Sequence, residues 1–90
     1  MRIVWRGEDL VVSPFDRFVK VEEIEAQSES YRVSLVAEAG VHRIQVACLG
    51  KEVVRVLLDG KAQGLARDLE NTTTFESSMG GTHQLTVQVR

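Results

Sequence analysis

Apolar and polar residues alternate from Tyr31 onward with the two-residue period of a half-buried strand. Tyr31, Val33, Leu35 and Ala37 alternate with Arg32, Ser34, Val36 and Glu38. Ala39-Gly40 interrupts the pattern, and glycine there can supply the positive φ of a tight turn. A second run puts His42, Ile44, Val46 and Cys48 on one face, with Arg43, Gln45 and Ala47 on the other. After Gly50-Lys51, Val54, Val56 and Leu58 alternate with Val53, Arg55 and Leu57. Valine dominates throughout, and β-branched side chains suit a pleated surface better than a helix. The pattern predicts three consecutive strands in an antiparallel meander.

Asp59-Gly60 follows as a hairpin signal, because a type I′ turn needs two residues that tolerate positive φ. Residues 62–70 fit either a return strand or a short helix with Leu65, Ala66 and Leu69 on one side, and Gly64 weakens the helix. Asn71 to Phe75 favours extended structure, and Ser77 to Gly81 reads as a loop. Leu85, Val87 and Val89 alternate with Gln84, Thr86 and Gln88 in a closing strand.

The first thirty residues are less regular. Ile3 to Trp5 and Leu10 to Val12 read as short strands joined at Gly7-Glu8-Asp9. Ser13-Pro14-Phe15-Asp16 has the form of a helix start, with Ser13 as N-cap and Pro14 at the first position. Residues 14–26 therefore admit a short helix. The neighbouring strands favour extended structure instead, with a β-bulge that explains why Ile24 falls out of phase with Val19 and Val21. The whole predicts one all-β domain over residues 1–90, a small antiparallel β-sandwich or jelly roll of seven to eight short strands. Pro14, the sole proline, is placed outside the strands.

Composition adds limits to this picture. Ninety residues make one domain, and 43% hydrophobic residues suffice for a core. Eleven basic against thirteen acidic residues give a net charge of −2, too balanced to draw nucleic acid by charge alone. No run approaches the ~20 apolar residues that span a membrane. The N-terminus has no apolar stretch like that of a signal peptide, and Cys48, as the single cysteine, can form no internal disulfide. A cytoplasmic protein, or a piece of a larger one, is the simplest expectation.

Candidate chemistry is sparse. His42, Cys48 and His83 lack the close spacing of zinc ligands, and His42 and Cys48 on one strand lie roughly 20 Å apart, so no metal or cofactor is expected. A Cys48–His83 catalytic pair would need the fold to bring the two together. The serines and threonines show no nucleophile elbow. Glu22, Glu23, Glu25 and Glu29 read as a solvated edge that resists strand-to-strand association. Among the aromatics, Phe75 and Tyr31 are assigned to the core. Trp5 and the Phe15/Phe18 pair, if exposed, form a contact patch; with Tyr31 as a possible sugar-facing ring, these four are the candidate binding residues.

Three segments carry a family likeness: Tyr31–Leu35 through Ala39-Gly40 to Val46, Val56-Leu57-Leu58-Asp59-Gly60-Lys61, and Gly80-Gly81-Thr82-His83-Gln84-Leu85-Thr86-Val87. With them, residues 30–90 resemble the later part of the family 6-type carbohydrate-binding modules. The resemblance implies a β-sandwich and sugar binding. Those modules are usually longer, and between Asp59 and Gly80 only Phe75 is available as a loop aromatic, so no ligand residue carries over.

The expected function is a non-enzymatic binding or assembly module acting on a protein partner or on copies of itself, as a phage or viral structural component or a small inhibitor would. A carbohydrate-binding module is the alternative. A small hydrolase using Cys48 or the acidic cluster ranks third.

Overall fold

The computed structural model describes residues 4–67 and 72–90. Within them the chain forms β1 (Trp5–Gly7), β2 (Leu10–Pro14), β3 (Val19–Ala26), β4 (Ser30–Cys48), β5 (Val53–Leu58), β6 (Lys61–Ala62), β7 (Ala66–Arg67) and β8 (Thr73–Val89). All pairings are antiparallel, in the order β1-β2-β4-β8-β5-β6, with β3 also on β4 and β7 also on β8.

Two strands are far longer than expected. β4 has 19 residues and β8 has 17, and they pair from Ser30↔Gln88 to Val46↔Thr73. The register steps once, from Ala37↔Gly81 to Gly40↔Met79, so Glu38 and Ala39 bulge opposite Gly80. Gly40 and Gly81 take positive φ there, at 146° and 84°. A bulge increases local twist and bends the ribbon, and glycine makes those angles cheap. The first half of β4 carries β3 and the second half carries β2. β8 likewise carries β5 on its last residues and β7 on its first. The sheet thus doubles over at the bend into a β-sandwich-like fold whose two layers share β4 and β8.

Three sequence-based expectations change accordingly. Ala39-Gly40 bends one strand and does not close a hairpin, so 31–38 and 41–48 do not pair with each other. β5 pairs with β8 and β6 and is not the third strand of a meander. Ser77 to Gly81 belongs to β8 and is not a loop. In each case long-range pairing overrode a local turn signal.

The inward faces match the alternation closely. Tyr31, Val33, Leu35, Ala37, Ile44, Val46, Leu85, Val87 and Val89 are all buried and join one core with Leu10, Val12 and Phe75. Burying a Val, Leu or Phe side chain contributes about 1.5–3 kcal/mol, so this stripe holds the layers together. β5 departs from expectation: Val54 is an extra residue between Val53↔Val89 and Arg55↔Gln88. Val53 therefore turns inward, and Val54 is 36% exposed.

Among the described residues the N-terminal third holds strands β1 to β3 and no helix. Glu22 bulges between Val21↔Leu35 and Glu23↔Ser34, which restores Ile24 to phase. The helix start at Ser13-Pro14 is replaced by the end of β2, where Pro14 sits opposite Ile44. Proline is tolerated there because the next amide, Phe15 N–H, is the one that donates to Arg43 C=O at 2.9 Å. The missing N–H of Pro14 would point away from β4, beyond the end of β1. The alternative helix over 62–70 meets β6 and β7 instead, and its residues 68–70 lie outside the described ones, as do Ile3 and Asn71. Among the described residues no helix is long and apolar enough to cross a membrane.

Both open sides of the doubled sheet are closed by side chains. On one, β1 lies against β3 so tightly that a Cβ on Gly7 would stand 2.3 Å from Ile24 Cγ2. On the other, Arg67 reaches across to the carbonyl of Val53 at 2.6 Å and pairs with Glu52.

Candidate functional site

Besides the pairs of Glu52 with Arg67 and Arg90, four polar features stand out among the described residues. The first is the β2–β3 loop, Phe15-Asp16-Arg17-Phe18, which lies against the bend of β4. Its backbone is tied at both ends: Phe15 N–H donates to Arg43 C=O, and Glu38 N–H donates to Phe18 C=O at 3.0 Å. Asp16 folds the loop on itself by accepting from Phe18 N–H at 2.8 Å. The other oxygen of Asp16 accepts from His42 Nδ1–H at 2.9 Å, and His42 Nε2–H donates to Glu38 C=O at 2.6 Å.

His42 is only 5% exposed. Its alternation with Ile44 and Val46 turns it inward, and a buried imidazole needs partners for both nitrogens. Its hydrogen bonds to Asp16, then to the Glu38 carbonyl, raise its pKa against the opposing effect of burial. For Asp16, burial pushes the carboxyl up, but its bonds to His42 and Phe18 outweigh this and hold it below the usual value.

The loop displays two rings. Phe15 is 43% and Phe18 44% exposed. The Arg43 guanidinium stands 5.5 Å from the Phe15 ring centre, and Arg17 stands 5.3 Å from that of Phe18. Arg43 also pairs with Glu76 on β8 at 3.2 Å. Val41, exposed on the outward side of the same bend, adds to the apolar surface.

The second cluster joins two of the segments that carry the family likeness. Asp59 and Gly60 hold φ of 50° and 84°, as a type I′ turn requires. Asp59 accepts from Gln84 N–H at 2.9 Å and from His83 Nδ1–H. The backbone bond to Gln84 N–H, then the His83 contact, hold its carboxyl below the usual value. His83 Nε2 lies 3.0 Å from Gly80 C=O and 3.1 Å from Gly80 N–H. This is a clamp between the β5–β6 turn and the bend of β8.

The third cluster pairs Cys48 with Tyr31 inside the sandwich, with the thiol and hydroxyl at 3.7 Å. The fourth is Trp5, half-buried on β1, whose indole N–H is buried without a partner among the described residues.

Of the four candidate binding residues, the loop exposes Phe15 and Phe18, Phe15 beside Arg43 and Glu76 and Phe18 beside Val36 and Glu38. Tyr31 lies in the core, as its place in the alternation predicted: it is 4% exposed because its strand face turns inward, which leaves it no part in a surface site. Trp5 packs against the core at the β1 edge. Cys48 bonds to Tyr31, and His83 bonds to Asp59 and Gly80, so neither is aligned on the other as nucleophile and base. Among the described residues no three His, Cys, Asp or Glu side chains converge as metal ligands. Asp16, read from sequence as a first-turn helix acid, was the missed participant. The signal that could have found it is His42, a polar side chain on an otherwise apolar strand face, which demands a charged or polar partner.

Comparison with family models, with curated proteins and with solved structures matched nothing. The functional reading rests on the residues themselves.

Proposed function

We propose that the protein is a non-enzymatic binding module that contacts a protein partner, or a second copy of itself, through the Phe15–Phe18 loop. One observation carries this reading: two half-exposed phenylalanines, each beside an arginine, stand on a loop whose backbone is already fixed. Aromatic and arginine side chains are enriched at the centres of protein interfaces. A loop held in place before contact loses little conformational entropy on binding. Phe15 and Phe18 contribute little to the core, so folding alone gives no reason to immobilise them in water.

The test is sedimentation velocity over a wide concentration range, together with affinity capture, on the native chain and a Phe15→Ala/Phe18→Ala double variant. Association that weakens at least tenfold in the variant supports the reading. A monomer at every concentration that captures nothing overturns it.

A carbohydrate-binding role draws on the same loop. The Phe15 ring offers a stacking face, and the neighbouring Arg43–Glu76 pair offers polar partners for hydroxyls. Glycan-array binding lost in Phe15→Ala would favour this second reading, and a blank array would end it.

A further inference from the structure

His42 is held differently from His83, although each has a carboxylate on Nδ1. The Nε2 of His83 faces both a carbonyl and an amide N–H of Gly80, so that nitrogen finds a partner whether or not it carries a proton. The Nε2 of His42 faces only the Glu38 carbonyl, at 2.6 Å, and a carbonyl can only accept. Its Nδ1 faces the ionised Asp16 carboxylate, which also can only accept. The geometry therefore suits the imidazolium form, in which both nitrogens donate.

Removing either proton would turn a lone pair toward an oxygen in a site that water barely reaches. The two contacts differ in what can yield. Glu38 C=O belongs to the backbone of β4 beside its bulge. Asp16 is 35% exposed and sits on a four-residue loop, so it can swing into water. The cheaper response to a neutral ring is loss of the Nδ1 contact and movement of the loop.

We propose that His42 is a proton-controlled latch on the aromatic loop: the cationic ring pins Asp16, and loss of its Nδ1 proton frees Asp16 and loosens the loop that carries both phenylalanines between its two backbone ties. The charged groups facing His42 are Asp16 from the loop and Glu38 from β4 itself. Across on β8 its partner is the uncharged Ser77, and Arg43 turns to the opposite face. Release comes as pH rises through the His42 value, which lies above that of an ordinary imidazole. Protonation of Asp16 removes the same contact in acid, so the loop is pinned within a pH window bounded by the two groups. The latch governs loop order, and its use in controlling contact rests on the binding role proposed above.

The chain holds three phenylalanines, Phe15, Phe18 and the core residue Phe75, so fluorophenylalanine labelling gives an internal control. On alkaline titration the fluorine signals of Phe15 and Phe18 should shift together, with the same midpoint as the His42 ring nitrogens, while Phe75 stays unchanged. His42→Gln should abolish the transition. Should that variant not fold, Asp16→Asn should move the midpoint down, because the carboxylate that favours the cationic ring is gone. Static Phe15 and Phe18 signals, movement together with Phe75, or an unchanged midpoint in the variants would each overturn the latch. The titration uses the chain alone, so its outcome is independent of the sedimentation test of the contact role.

Discussion

The thiol of Cys48 and the hydroxyl of Tyr31 share a hydrogen bond at 3.7 Å, although 17 positions separate them on the single strand β4. A straight strand would hold them roughly 55 Å apart. Their contact measures how completely the ribbon folds back, since each projects inward from a different layer.

Tyr31 makes that contact testable, because it is the only tyrosine. The Cys48 hydrogen bond, then burial, favour the neutral phenol and push its pKa up to about 12. A folded-state value above the unfolded one contributes stability that is intact below the unfolded value of 10.0 and lost as pH rises toward about 12. Tyrosinate absorbance should therefore titrate near pH 12 in the native protein and fall to ~10 in denaturant. The alkaline loss should amount to about 2–3 kcal/mol and vanish in Tyr31→Phe. Cys48→Ala should lower the native midpoint; an unchanged midpoint would show that burial alone sets it.

Asp59 serves both the turn and the clamp. Asp59→Ala removes the acceptor for Gln84 N–H and His83 and puts a Cβ-bearing residue without a local hydrogen bond at φ 50°. Chemical denaturation should show a loss of about 1–3 kcal/mol. Asp59→Asn, which tolerates positive φ and keeps one acceptor, should cost less. Because the folded-state value of Asp59 is depressed, its ionic contribution is present above the unfolded carboxylate value and lost as pH falls through the folded one. The gap between native and Asp59→Asn stabilities should close in acid.

Gly7→Ala tests the β1–β3 seam. The added methyl would lie 2.3 Å from Ile24 Cγ2 and 2.5 Å from its Cβ, so the strands must part. Overpacking of this kind costs about 1–3 kcal/mol. Hydrogen exchange should rise first in β1 and the facing residues of β2. A variant as stable as the native chain would mean that the seam is loose in solution.

Arg67→Ala tests the opposite side. It frees the Val53 carbonyl and removes the main partner of Glu52. Amide exchange along β5 should quicken, with little change in β2 or β3. Arg67→Lys should not restore protection fully, because one ammonium replaces a two-pronged guanidinium that reaches both acceptors.

Strand content and core composition were legible because alternation is a local signal with a direct physical cause. Val33, Leu35, Val46 and Leu85 were assignable as soon as their polar neighbours were seen. The phase error at Ile24 even revealed the bulge at Glu22, because an inserted residue is the only local way to restore the face. Topology was not legible. Ala39-Gly40 and Gly80-Gly81 carry the same residues whether they close a turn or bend a strand, and the choice rests on pairing between segments about forty residues apart. Pro14 misled for a related reason: its surroundings resemble a helix start until β4 lies beside it. The candidate site was half legible. Phe15 and Phe18 stood out as apolar residues without a periodic place, whereas Asp16 acquired its role only when His42 arrived from another strand.

The shared β4–β8 ribbon also fixes when the protein can fold during synthesis. Both layers take their central strands from it, so neither is complete before Val89 has left the ribosome. Until then β2, β3 and most of β4 are exposed as valine-rich strands awaiting β8. Neither layer can close before β8 has emerged, and in that interval the chain depends on its scattered charges, or on a chaperone, to stay unassociated.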